Sequence, residues 1–199
     1  MGVTSTGTAM PVLETERLLV RPFELTDLEA CHQLLDVEAW QTGRSIGDRE
    51  TWLRWTVMSY GAQADLMQPP YGDRAVVLKS SGELVGSVGL VPGLMTFDRL
   101  PSFGGNTASN RVQPQVGMYW ATRTAHLNRG YATEAARALV DYAFGLPFAL
   151  SCILAWTDYN NLASQAVMRH LGMSIERNPR PDPPWFQIVG VLHNTANDP

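Results

Sequence analysis

Apolar and polar positions alternate along this chain in two rhythms, one helical and one extended. The helical rhythm is clearest over residues 126–144, HLNRGYATEAARALVDYAF. There Asn128, Arg129 and Gly130 form a short loop, and apolar positions follow at Ala132, Ala135, Ala136, Leu139, Val140 and Ala143. That spacing predicts one buried helix face, with Gly145 and Pro147 ending the element. Earlier, residues 18–21 read as a strand stopped by Pro22. Thr26 with Glu29 reads as a capping box ahead of a stripe at Leu28, Cys31, Leu34 and Leu35. A second helix is expected over about residues 48–60, carrying Trp52, Leu53, Trp55, Thr56 and Met58, and then a loop over 61–73.

The extended rhythm takes over at residues 74–79 and 83–91, joined by a tight turn at Ser80, Ser81 and Gly82. Gly86 and Gly89 inside the second run predict a bulge or a close backbone approach. Residues 92–114 form a long polar connection around Gly104, Gly105 and Asn106. Connections of that length often carry function. We read it as an insertion that either folds over a substrate site or hangs as a surface loop. A fourth strand over 115–122 leads straight into the loop at 128–130. Beyond the long helix come a buried strand (151–157) and a turn at Asp158, Tyr159, Asn160 and Asn161 with ready N-caps. Then come a short helix (162–171) closed by Gly172, strands at 173–177 and 185–192, and a proline-rich loop between them at 178–184.

Composition narrows the class. A chain of 199 residues with 45% hydrophobic and 17% charged residues fits one globular domain, residues 12–199, behind a small-residue tail at 1–11 expected to be disordered. Fifteen basic against nineteen acidic side chains, a net −4, argue against broad nucleic-acid binding. No apolar run reaches membrane-spanning length, and no signal-peptide core opens the chain. The first six residues fit the permissive N-myristoylation pattern, but we read them as plain tail. Cys31 and Cys152 fall in an expected helix and an expected buried strand, where small reduced thiols suit a cytoplasmic protein. Neither they nor the scattered histidines His32, His126, His170 and His193 have metal-site spacing, so no metal is expected.

The loop at 128–130 carries the candidate chemistry. A helix start presents unpaired N–H groups and partial positive charge, and a glycine there lets an anion approach the backbone. Taken alone, this feature is either a pyrophosphate site or simply a turn that starts a core helix. The surrounding run from Gly117 to Ala136, GMYWATRTAHLNRGYATEAA, resembles the coenzyme A loop of the GNAT superfamily of N-acetyltransferases, in its ribosomal-protein N-acetyltransferase-like branch. The loop pattern Gln/Arg-x-x-Gly-x-Gly/Ala falls on Leu127, Gly130 and Ala132, so Leu127 departs from the usual Gln or Arg. Asn128 stands where Gly is common. Two further stretches resemble the same branch: Glu14-Thr-Glu-Arg17-Leu-x-x-Arg21-x-Phe23, and Asn161-x-x-Ser164 with Leu171-Gly172-Met173.

The resemblance implies an α/β (α+β) GNAT fold. Its sheet is mixed, mostly antiparallel and twisted, with about seven strands splayed between the fourth and fifth and about four flanking helices. It also implies acetyl transfer from acetyl-CoA, a co-substrate, to a primary amine such as a protein N-terminus or a small amine. By the same resemblance, the backbone of Trp120, Ala121 and Thr122 would pair with the pantetheine arm, and an N–H at or beside Trp120 would polarise the acetyl carbonyl. The N–H groups of Leu127, Asn128, Arg129, Gly130, Tyr131, Ala132 and Thr133 would cradle the pyrophosphate, Arg129 adding charge. Asn161, with Asn160 as fallback, would meet the pantetheine amides. Ser164 stands where many relatives place an acidic tyrosine and would act toward the thiolate directly or through water. Asp182 is the candidate general base, with Glu83, Asp98 or a water chain as alternatives. Trp40, Trp52 or Trp55 would line the acceptor pocket, and the last strand is available for pairing in a homodimer. The competing reading is a noncatalytic module that binds coenzyme A as a sensor; a third is a phosphate binder of another fold.

Overall fold

The computed structural model describes residues 11–66, 68, 71–145 and 150–195. The tail before residue 11, the acylation pattern within it and the helix-ending Pro147 lie outside the described residues. The strands are β1 (Leu13–Glu14), β2 (Leu18–Pro22), β3 (Gly72–Leu78), β4 (Leu84–Met95), β5 (Gln113–Thr122), β6 (Cys152–Thr157), β7 (Ser174–Arg177) and β8 (Ile188–His193). They make one eight-stranded sheet in the order β1-β2-β3-β4-β5-β6-β8-β7. Among the described residues the α-helices are α1 (Leu28–His32), α2 (Ile46–Asp65), α3 (Tyr131–Phe144) and α4 (Leu162–Leu171). This is the mixed, mostly antiparallel sheet expected, with the short β1 as an additional strand. The described residues fall into two compact units, one running to Leu90 and including Trp120–Leu139, the other comprising Val91–Tyr119 and the chain from Val140.

In the first unit, β2 and β3 pair antiparallel from Leu18–Leu78 to Pro22–Arg74, and β3 pairs antiparallel with β4. The β3–β4 register shifts at Val76–Val77, opposite Gly86. A Cβ on Gly86 would stand 2.6 Å from the carbonyl oxygen of Ala121, so both expectations for this glycine hold: a bulge and a close backbone approach. The core joins the expected helical stripe, Cys31, Leu34 and Leu35, to Phe23, Leu53, Ala75, Val77, Leu84 and Ala121.

The capping box falls elsewhere than Thr26 and Glu29. Asp27 accepts the Glu24 N–H at 2.8 Å and caps a 3-10 turn at Leu25–Asp27 that precedes α1, while the Thr26 hydroxyl only reaches Glu24 at 3.4 Å. The aspartate is three residues after Glu24, the spacing a box requires. After α1 the chain widens into a π-helical stretch, Gln33–Ala39. Helix α2 starts at Ile46, capped by reciprocal bonds between Ser45 and Asp48, and runs to Asp65, through part of the expected loop.

In the second unit, β6 pairs antiparallel with β8 over six residue pairs, and β8 with β7. Strands β5 and β6 run parallel and meet at Gly117–Leu154. Among the described residues of this unit that is their single ladder position, in keeping with the splay expected there. Residues 92–114 are not a bare loop. Strand β4 runs on to Met95, two 3-10 turns follow at Phe97–Arg99 and Pro101–Phe103, and Phe97 and Leu100 are fully buried with Leu154, Phe186 and Val189. The Trp156 ring lies where a Cβ on Gly93 would come, 2.6 Å away. Arg99 is buried and donates to the carbonyls of Ser109 (2.6 Å) and Arg180 (2.9 Å), which fixes the end of the segment.

Candidate functional site

In the first unit, the site begins at the end of β5. The carbonyl of Ala121 packs on Gly86, and the Arg123 N–H donates to the Val85 carbonyl at 2.8 Å, so both use the β4 side. Because a strand's backbone groups alternate in direction, those of Trp120 and Thr122 face the other edge. A 3-10 turn at Thr124–His126 follows, in which the Leu127 N–H reaches back to Thr124 at 3.4 Å. Asn128 then adopts φ 59° and Gly130 φ 80°. Positive φ on both sides of Arg129 supplies the left-handed residues of a nest-like turn, the kind that gathers N–H groups toward one anion. The first intrahelical bond of α3 runs from the Glu134 N–H to the Gly130 carbonyl at 3.0 Å. The N–H groups of Tyr131, Ala132 and Thr133 therefore stand ahead of it as the unpaired start of a helix. Leu127 and the Arg129 side chain point outward and are exposed.

Three carboxylates grip this loop, and sequence spacing identified none of them as loop anchors. Glu38 accepts from the Thr124 N–H at 2.6 Å and from the Arg123 guanidinium at 3.0 Å. Burial alone would push its carboxyl up, yet the Thr124 N–H, Gln33 and Arg123 outweigh that and hold it below its usual range. Glu83 meets the imidazole Nε2 of the buried His126 at 3.1 Å. Glu134 accepts from the Thr15 hydroxyl, from the Arg17 N–H at 3.0 Å and from the Arg17 side chain at 2.7 Å. It too is held down: its burial acts upward, and the bonds from Thr15 and Arg17 override it. Arg17 and Glu134 belong to two of the three stretches that resemble the GNAT branch, and the fold brings them into contact.

In the second unit, the Asn161 side chain is the N-cap of α4, its oxygen accepting the Ser164 N–H at 3.0 Å. Ser164 is half-buried, and Asp182 is exposed on its loop. Asp98 is buried: one carboxylate oxygen accepts the Ser109 hydroxyl, and the other is enclosed without a partner. Of the three tryptophans expected at the acceptor pocket, Trp52 packs edge-on against Phe23 at 5.9 Å, while Trp40 and Trp55 are exposed. Among the described residues, no cluster of His, Cys, Asp and Glu is arranged to hold a metal ion.

The model of the acetyltransferase (GNAT) domain matches residues 17–174, most of the chain. The protein belongs to the GNAT acetyltransferase family. The match opens at Arg17 and spans the whole of the nest and α3. An uncharacterized Bacillus subtilis protein, YkkB, is 28% identical over 92% of this chain and 95% of its own length. Among solved structures, an acetyltransferase from Agrobacterium tumefaciens aligns with TM-score 0.67 at 23% identity, over 94% of this chain and 96% of that one. RimL, a ribosomal-protein alpha-N acetyltransferase in complex with coenzyme A, aligns with TM-score 0.64 at 13% identity, over 94% and 100%. At these identities the structural likeness speaks for the GNAT fold.

Proposed function

We propose that this GNAT protein moves acetyl from acetyl-CoA to a primary amine by direct attack in a ternary complex. The observation that carries the reading is the nest at Asn128 and Gly130 opening onto the three unpaired N–H groups of α3. That arrangement suits a pyrophosphate, and it lies on the stretch that resembles the coenzyme loop. The coenzyme held by RimL supports the same ligand here.

The chemistry sets what each group must do. An ammonium has no lone pair, so the amine sheds its proton before attack; amine pKa values run from about 8 for an α-amine to about 10.4 for lysine. The thioester carbonyl becomes an oxyanion in the transition state and needs preset donors. The outward-facing Trp120 N–H supplies one, and Trp120 and Thr122 give the pantetheine arm a strand edge to pair with. The N–H groups from Asn128 to Thr133 hold the pyrophosphate, with Arg129 beside them. Leu127 brings no side-chain donor, and its N–H is partly used in its own turn. Asn161 offers its NH2 to the pantetheine amides. Ser164 assists the departing thiolate through its hydroxyl or a water; a thiol pKa near 8.5 makes that help useful but not essential. Asp182, exposed before β8, is the proposed base. The acceptor is a peptide N-terminus or a small amine.

The second reading, a noncatalytic coenzyme A sensor, draws on the exposed Leu127 and on the weak acidity of a serine hydroxyl. Calorimetric titration with acetyl-CoA and coenzyme A, followed by an amine screen read by free-thiol release, separates the two. Micromolar binding with amine-dependent thiol release is the expected result. Binding without release from any amine leaves the sensor, and no binding at millimolar ligand removes both.

A further inference from the structure

Glu134 stands where an anion-binding helix would be better without it. It sits in the first turn of α3, directly after the three N–H groups proposed above to hold the phosphate. In an isolated helix a carboxylate here would complement the dipole. At a phosphate site it competes with the ligand for the same partial charge and repels it. Its side chain is 17% exposed, so water screens it only in part.

One guanidinium answers this charge. Arg17 Nε donates to Glu134 Oε2 at 2.7 Å, and Nη2 lies 2.6 Å from the same oxygen. Its Nη1 donates to the Arg129 carbonyl at 3.0 Å. The guanidinium lies 4.6 Å from the centre of the Tyr131 ring, and Nη2 is 3.4 Å from where a Cβ on Gly130 would stand. Arg17 thus contacts Arg129, Tyr131 and Glu134 at once, beside Gly130. A carbonyl engaged by Arg17 is one that does not face the ligand, and this matters at a nest, where N–H groups must point inward.

We propose that Arg17 is a positioning residue of the phosphate site: it cancels the Glu134 carboxylate and ties down the Arg129 carbonyl, so that the nest accepts an anion without a side chain from position 127. This rests on the coenzyme A reading above.

The test is calorimetric titration with coenzyme A of the wild type, Arg17→Ala, Arg17→Lys, Glu134→Gln and the double variant Arg17→Ala/Glu134→Gln. Thermal unfolding and turnover at saturating acetyl-CoA are followed alongside. Arg17→Ala should raise Kd by about tenfold, leaving the carboxylate without its counter-charge, with turnover at saturation within about twofold. The double variant should regain much of that loss. Glu134→Gln alone should bind as tightly as the wild type or up to about fivefold tighter, and the gain should shrink with salt. Arg17→Lys, which keeps the charge and loses the fork, should fall between wild type and Arg17→Ala. A tie that is only structural gives the opposite order, with the double variant weakest and Glu134→Gln weaker than wild type; that order, or an unchanged Arg17→Ala, overturns the proposal. If Arg17→Ala does not fold, Arg17→Lys and Glu134→Gln carry the comparison. A wild type that binds no coenzyme A sinks the functional reading and this proposal together, whereas a binding wild type with flat variants sinks this proposal alone.

Discussion

Asp36 and Arg49 meet in a two-pronged ion pair inside the first unit, at 2.6 and 2.7 Å, both almost fully buried. The guanidinium also lies 4.5 Å from the centre of the Trp52 ring. Burial pushes the Asp36 carboxyl up, but Arg49, Thr42 and His32 together hold it well below the usual carboxylate range. A depressed folded value means stability that is present above the unfolded pKa, about 3.9, and lost as pH falls beneath it. Arg49→Ala, which strands a buried charge, should cost about 3–5 kcal/mol in urea unfolding at pH 7. That cost should shrink at pH 3 as the carboxylate takes up a proton; a cost independent of pH would deny the pairing its role. At the proposed reaction centre, Ser164→Ala should lower turnover about tenfold with acetyl-CoA affinity within twofold; unchanged turnover would remove Ser164 from the mechanism. Asp182→Asn should lower turnover with acetyl-CoA affinity within about twofold, and turnover like the wild type's would point to a water chain instead.

At the scale of elements, α4 is the one most completely written into its own residues. Asn161 caps one end and Gly172, at φ 86°, closes the other, with the Met173 N–H bonding the Met168 carbonyl at 3.0 Å. Both devices use neighbours within a few positions, so spacing alone reveals them. Gly172→Ala should cost about 1 kcal/mol or more in thermal unfolding, because a Cβ is strained at positive φ. The start of α1 was harder to read. Two overlapping frames, Glu24 with Asp27 and Thr26 with Glu29, offer a cap, and only the backbone's path selects the first. The π-helical stretch at Gln33–Ala39 has no sequence signature of its own. Residues 92–114 looked polar because Phe97 and Leu100 are spaced among turn residues. Their partners, Leu154 and Phe186, lie more than fifty positions away, beyond any local pattern.

For the whole molecule, ligand linkage gives the broadest check on function. A ligand that binds the folded state alone stabilises it by about 2.7 kcal/mol at a concentration one hundred times its Kd. Coenzyme A should therefore raise the melting temperature, and should do so less in Arg17→Ala than in the wild type. A shift of equal size in both would count against a role for Arg17 in binding. The two cysteines offer a control on the fold. Cys31 is buried and its thiol is pushed up to about 12 by burial, and Cys152 is raised by the same cause. Neither should react readily with a thiol reagent until the protein unfolds.

The sequence by itself determined several elements and faces: the Cys31, Leu34 and Leu35 stripe, the apolar side of α3, the caps of α4 and the close approach at Gly86. Each follows from backbone geometry acting over a few residues. It also presented the loop and its helix start as a candidate anion site, since a glycine and a run of unpaired N–H groups are local facts. Only the tertiary structure decided what holds that loop in place. Arg17 reaches Glu134 across 117 positions, and Glu38 reaches the Thr124 N–H across 86. Charges so far apart in the chain carry no mutual spacing, and only packing sets the distance on which their pairing depends.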